Sequence, residues 1–338
     1  MHSLFRTAFT GITIAAVAAC ASVDIDQAKK LSSAGVASST SLQAEAKTTA
    51  ARATAWHDAR IFYSVLSTGD VAQLEKPAFK QGAGHLDTLA KLLRKRTNAL
   101  AGLVTAYKSF QALTDYGAAD ETEKAASSFF ASTNDFLLAT QALPPGAGGD
   151  IARGIAPISP QASEGLSIGF GFIATEIQKG QIKKASAALR GGVEVLAGAL
   201  KAERQYAVAA RELLALYWSD FRLEARKAGL ADYEPAVREL LVQYDLDPAK
   251  DLGAAMRRTP RAGRATEELL KARDEASLAL IDERYTSLLQ LLDDLVKQHK
   301  ALEAGRPVTV VEILALVQEI EGYYERVRTA GKKSDNVK

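Results

Sequence analysis

The chain has one cysteine, two tryptophans and two methionines in 338 residues. A single thiol excludes an internal disulfide framework. The four histidines are scattered through different segments of the chain, as His2, His57, His85 and His299. None stands at a zinc-motif spacing such as H-E-x-x-H, and no Glu-x-x-His of a di-iron bundle occurs. Charge of one sign is also missing: 42 basic residues face 40 acidic ones, for a net charge of +2. That balance excludes the strongly basic footprint of a nucleic-acid-binding domain. Beyond the N-terminus no apolar run approaches the length of a membrane span. Neither a P-loop nor a G-x-S-x-G motif is present. We therefore expect no metal, no cofactor, no nucleic acid and no catalytic residues.

What is abundant is Ala and Leu, while aromatics make up only 7%. Helix formers dominate and β-branched runs are rare. Three stretches carry apolar residues at alternating steps of three and four, the spacing of a helix packed along a partner. The first is Leu86, Leu89, Leu93, Arg96, Leu100, Leu103, Tyr107 and Phe110. A second runs through Leu189, Val193, Leu196, Leu200, Glu203, Ala207, Ala210, Leu214, Tyr217 and Phe221. The third comprises Leu278, Ile281, Tyr285, Leu288, Leu292, Leu295, His299 and Leu302. Each is interrupted once, by Arg96, Glu203 or His299. A shorter seam, Val310 to Val327, follows the tight connection Ala304 to Pro307. The pattern predicts an all-α protein, an elongated bundle of long antiparallel helices with coiled-coil-like packing.

Punctuation divides the chain. Leu143 to Pro160 holds four of the nine prolines and four glycines, and we read 144–160 as a linker or loop. It separates an N-terminal helical region, 20–143, from a C-terminal region, 161–330, that packs with it. Prolines at 235, 248 and 260 predict short helices between Gly229 and Pro260. Residues 331–338 read as a disordered tail. Asp24 to Thr68 reads as one long helix, sparse in apolar residues at first. It is expected to be loosely packed there, or a stalk near the membrane, and better packed near Trp56, Ile61, Phe62 and Leu66.

Several polar features have an unremarkable reading. The pairs Glu267–Glu268 and Asp293–Asp294, with Glu319 and Glu321, are expected on solvated helix faces. The basic runs Lys91 to Arg96 and Arg257 to Arg264 are expected to be solvated too. His299 is expected to be a seam residue at the bundle end, snorkelling or hydrogen-bonded there. Gly169 to Ala174 spells a dinucleotide fingerprint with Glu194 about 20 residues on, but no strand precedes it. Glycines at 191, 192 and 198 are expected to allow close helix approach.

The N-terminus is more specific. Arg6 precedes a short apolar run, Ala8 to Ala19, too short for a span and fitting a secretory signal. Val17-Ala18-Ala19-Cys20 then resembles a bacterial lipobox. The resemblance implies removal of residues 1–19, cleavage between Ala19 and Cys20, and a diacylglyceryl group on the Cys20 sulfur. Thiolate nucleophilicity is what the alkylation requires. Each buried CH₂ of an acyl chain contributes about 0.8 kcal/mol, so two or three chains anchor stably. Ala21 after the cysteine implies the outer membrane, facing the periplasm. The expected function is that of a lipid-anchored envelope bundle with a binding or scaffolding role, a protein partner and no catalysis. A second expectation is a membrane-active protein using the Gly-rich segment 163–200, with Gly169, Phe170, Gly171 and Phe172 in contact with membrane or partner.

Overall fold

A computed structural model describes residues 23–115, 119–164, 166 and 175–332. The described residues form helices joined by turns and loops, with no strand among them. The long helices are α1 (Ile25–Thr68), α2 (Pro77–Thr114), α3 (Ala119–Gln141), α5 (Thr175–Lys227), α8 (Pro260–Glu303) and α9 (Val311–Lys332). Three short ones are α4 (Gly149–Arg153), α6 (Glu234–Gln243) and α7 (Leu252–Arg258).

Local chemistry sets the ends. The Asp24 carboxylate caps α1 by accepting from the Asp26 and Gln27 amides at 2.8 and 3.2 Å. Gly69, in the left-handed region at φ 67°, closes it by donating its N–H to the Val65 carbonyl. Pro77 and Pro260 open α2 and α8, where the missing N–H has no cost.

Cross-helix contacts fix the directions. Along α1 and α2, Ser33 meets Gln111, Glu45 meets Arg96 and Arg60 reaches the Phe79 carbonyl. Numbers rise on one helix as they fall on the other, so the pair is antiparallel. Helices α5 and α8 do the same through Ser186 and His299, Glu203 and Tyr285, and Arg226 and Glu267. One hydrophobic core runs through the bundle, from Val23 to Ile320. The predicted seams supply it: Leu86 through Phe110 is buried along its whole length, as are Leu189 through Ala207 and Tyr285 through Leu302. Loop residues Leu143, Ala152, Ile155 and Ile158 pack on the same core, so 144–160 lies against α3 and α5.

Helix α1 reverses the expectation from its sequence. Its first half is the packed half, with Ala28, Leu31, Ala34, Ser38, Ser39 and Leu42 all buried. Its far end is looser, and Phe62 is 48% exposed. The buried face is small rather than greasy. Ser38 and Ser39 return their hydroxyls to the Ala34 and Gly35 carbonyls at 2.7 Å, so neither is left an orphan, whereas the buried Ser41 hydroxyl has no partner among the described residues. Gly35 lies flat against the Tyr107 ring, where a Cβ would overlap it. Gly192 and Gly198 are similarly close to Phe129 and Ile155, as the spacing implied, but Gly191 faces open space.

Two alanine substitutions separate these roles. Gly35→Ala should lower stability by about 1–3 kcal/mol, because the fully buried Tyr107 has nowhere to move. Gly191→Ala should raise it by about 0.5–1 kcal/mol through helix propensity alone. Urea denaturation midpoints at constant slope check both.

Candidate functional site

The three seam interruptions turn out to be the polar centre of the molecule. Arg96 is 2% exposed, and Glu203 and His299 are fully buried. Arg96 comes from the middle of α2, Glu203 from α5, Glu45 from α1, and Arg284 with Tyr285 from α8. Four helices thus each place a polar side chain at one level of the bundle.

Arg96 forks between two carboxylates. One terminal nitrogen donates to Glu45 Oε2 at 2.6 Å and the other to Glu203 Oε1. Arg284 donates to Glu45 Oε1 at 2.7 Å and to Thr49 Oγ1 at 3.0 Å. The Thr49 hydroxyl itself donates to Glu45 Oε1 at 2.6 Å. Tyr285 donates to Glu203 Oε1, which leaves Glu203 Oε2 buried without a hydrogen-bond partner among the described residues.

The two carboxylates shift in opposite directions. Burial acts to raise the Glu45 carboxyl, but Arg96 and Arg284 outweigh it and hold it below the ordinary range. Burial also acts on Glu203, where Arg96 and Tyr285 offset only part of it, so its carboxyl is raised. The asymmetry follows from the contacts: Glu45 faces two guanidinium groups and Glu203 one. Burial and the Glu203 charge push the Tyr285 hydroxyl well above its usual value, which keeps it a proton donor.

Beside this cluster lies a cavity of about 10 Å³, lined by Glu45, Arg96 and leucines including Leu42, Leu100, Leu196 and Leu292. That is room for about one water. The hydrogen bonds of the cluster tie together the four helices that supply it.

A second polar layer surrounds His299. Its Nε2 lies 2.9 Å from the Tyr107 hydroxyl and its Nδ1 lies 2.8 Å from Ser186 Oγ. Ser186 Oγ also reaches Glu303 Oε1 at 3.2 Å, and Arg190 Nε donates to the same carboxylate at 3.1 Å. One direction gives every donor an acceptor: Tyr107 donates to Nε2, Nδ1–H to Ser186, and Ser186 to Glu303. Burial raises the Tyr107 hydroxyl and keeps its proton in place. Burial, aided by the Arg190 charge, pushes His299 down to about 3. In that direction the imidazole nitrogen facing Ser186 donates to the hydroxyl, and the carboxylate contacts the serine rather than the histidine.

The remaining sequence candidates fall elsewhere. Ala19, Cys20, Gly169, Phe170, Gly171 and Phe172 lie outside the described residues. His57 is 3.4 Å from Asp87, and His85 is 3.3 Å from Tyr206, with no group of metal-binding side chains among the described residues. Glu319, Glu321 and Glu268 are exposed as expected. Two readings need correction. Asp294 is buried, because its position on α8 turns inward and Lys297 reaches back to it at 2.7 Å. Arg96 does not belong to the solvated basic run that Lys91 and Arg94 form, because it occupies the seam register. Glu45, Thr49 and Arg284 were not anticipated. Glu45 could have been found, since Leu31, Gly35, Ser38, Leu42, Glu45 and Thr49 keep the same three–four steps.

Fold and site together define an all-α, multi-helix bundle with a charged core. Comparison of the chain with protein-family models, curated proteins and solved structures yields no match.

Removing one member of the charged cluster should be far worse than neutralising another. Arg96→Met leaves Glu45 and Glu203 buried together and should cost about 3–5 kcal/mol. Glu203→Gln keeps an acceptor for Arg96 and Tyr285 and should cost much less. Because the Glu203 carboxyl is raised in the fold, its contribution is lost as pH rises through its folded value. Glu203→Gln should therefore gain on the wild type as pH goes from about 4 to about 7. Denaturant titrations at both pH values measure this.

The His299 layer gives the opposite sign. With a folded value of about 3 against an ordinary 6.5, the unfolded chain binds the extra proton between those limits. Stability should fall as pH drops below about 6.5, and the His299 ring resonances should not titrate between about pH 8 and 5. Two-dimensional NMR of the imidazole reads this directly.

Proposed function

We propose that this protein is a lipid-anchored helical-bundle lipoprotein of the cell envelope, with a binding or scaffolding role and no catalysis of its own. The reading combines the lipobox-like Val17-Ala18-Ala19-Cys20 with one structural observation: Val23 is 2% exposed, already in the core. Only Ala21 and Ser22 separate it from Cys20, a reach of about 10 Å. An acyl anchor on Cys20 therefore holds the bundle directly at the membrane rather than on a flexible stalk. The end carrying Val23 and Gln27, whose side chain accepts from the Val308 amide at 2.9 Å, lies nearest the lipid. The three–four seams support an elongated, coiled-coil-like body that displays its far end to an envelope partner. In an organism with an outer membrane, Ala21 favours that membrane's periplasmic face.

Nothing in the described bundle favours a membrane-active segment. No helix among the described residues is long and apolar enough to cross a membrane. The described part of the Gly-rich stretch supplies Ile182, Leu189, Val193 and Leu196 to the core, so its extraction would expose them.

Metabolic labelling with a palmitate analogue tests the anchor. The wild type should be labelled and fractionate with membranes; Cys20→Ala should lose the label and become soluble. Equal labelling of the two would sink the proposal.

A further inference from the structure

The end of the bundle away from Val23 is built differently from the rest. Residues 228–259 bridge α5 and α8 as a small cap, held by contacts of α7 with α6 and α8. The Tyr233 hydroxyl donates to the Arg222 carbonyl at 3.2 Å, and the Arg226 guanidinium stacks 4.9 Å from the Tyr233 ring. Yet helix α6 has no buried residue. Apolar side chains stand in solvent around it: Leu230, Val242 at 59%, Tyr244 at 72% and Leu246 at 55% exposure. Isolated exposed leucines are ordinary, but such a concentration in 17 residues, tyrosine included, marks an interaction surface.

The charges of the cap are sorted. Four acids of the region are already paired: Glu234 with Arg238, Glu239 with Arg273, Asp251 with Arg258, and Glu267 with Arg226. Asp245 and Asp247, interleaved with Tyr244 and Leu246, have no basic partner among the described residues. Nor do Arg261 and Arg264, at the exposed start of α8, have an acidic one. Those arginines also stand where a helix start disfavours positive charge. Asp245 holds φ 57°, and the Leu246 amide bonds the Leu241 carbonyl at 3.0 Å. Glycine is the usual occupant of such a helix end, so a carboxylate is held there against backbone preference.

We propose that this cap is the contact surface for a second copy of the chain. A twofold contact requires a surface complementary to itself. Here the acidic, apolar loop of one copy would meet the basic start of α8 of the other, and the reverse pairing would form at the same time. An anionic lipid surface fits less well, because Asp245 and Asp247 would face the headgroups beside the very side chains that insert. The proposal does not depend on the lipid anchor, since both pairs of residues lie in the described bundle.

Charge exchange tests it with the full chain carrying two different tags, co-expressed and purified through one tag. Arg261→Glu/Arg264→Glu places acids where a helix start favours them, so α8 is not weakened. Asp245→Asn/Asp247→Lys keeps a residue that tolerates positive φ. Wild-type copies should co-purify. Each variant paired with itself should fall by about tenfold or more, because both contacts become repulsive or unpaired. The two variants mixed should recover, because each contact again joins opposite charges. Unchanged helical circular dichroism shows that the fold is intact. Equal signals in every pairing, as from two chains sharing a micelle, overturn the proposal. So does failure of the mixed pair to recover, or of the wild type to co-purify. Flotation of the Cys20→Ala chain, which carries no acyl anchor, with anionic vesicles in the absence of co-purification assigns the cap to lipid instead.

Discussion

A guanidinium in an apolar core must be met by carboxylates, and the position of Arg96 therefore constrains every helix that touches it. Isolated, its charge would be intolerable in that environment. Glu45 and Glu203 satisfy it from opposite sides, and Arg284 with Thr49 completes Glu45. The cluster need not add net stability, since a well-packed apolar replacement can do as well. Its value lies in alignment. A leucine seam repeats every seven residues, so a slip of one heptad would still pair leucine with leucine. Such a slip would set Arg96 against aliphatic side chains and strand both acids. The same logic governs polar interruptions in coiled coils generally.

The His299 layer repeats the constraint with different chemistry. Arg96 and Tyr107 are eleven residues apart on α2, which places the second layer about 16 Å along the bundle. There the partners are neutral: a phenol, an imidazole and a hydroxyl, ending at the Glu303–Arg190 pair near the surface. A directed chain of donors is as specific as a charge cluster, because reversing one bond orphans another. Two layers also fix what one cannot. A helix could rotate about a single polar level; two levels at different heights determine both rotation and register.

Much of this was visible in the sequence, though not its meaning. The seams of α2, α5 and α8 announced themselves, because leucines at three–four steps have few other uses. Arg96, Glu203 and His299 stood out as single interruptions, yet nothing in a linear pattern says that two interruptions face each other. That pairing comes from how helices 107 residues apart in sequence are brought together. The first half of α1 failed for a different reason. Hydrophobicity is the usual sign of burial, whereas that face buries serine, alanine and Gly35. Close approach of backbones makes small residues valuable, and serine hydroxyls satisfied within their own helix make them cheap to bury. The same effect hid Glu45, whose seam runs through Gly35 and Ser38. Conversely, Gly191 shared the spacing of Gly192 without its contact, because adjacent helix positions point about 100° apart.

The division of the molecule into a rigid centre and a less buried end has a consequence for how it could work. Both polar layers lie in the part of α1, α2, α5 and α8 where the seams are buried. Beyond Glu45, α1 runs on for 23 residues, about 35 Å, into a region where Phe62 and the α6 surface meet solvent. The centre therefore fixes the direction of the helices, and the cap takes its position from them. With the proposed anchor at the Val23 end, a cap at the other end would be carried some tens of ångströms from the membrane by helices that cannot slip. Reach and orientation would then be set by core electrostatics rather than by a flexible linker, and a change at Arg96 would be felt at a surface it never touches.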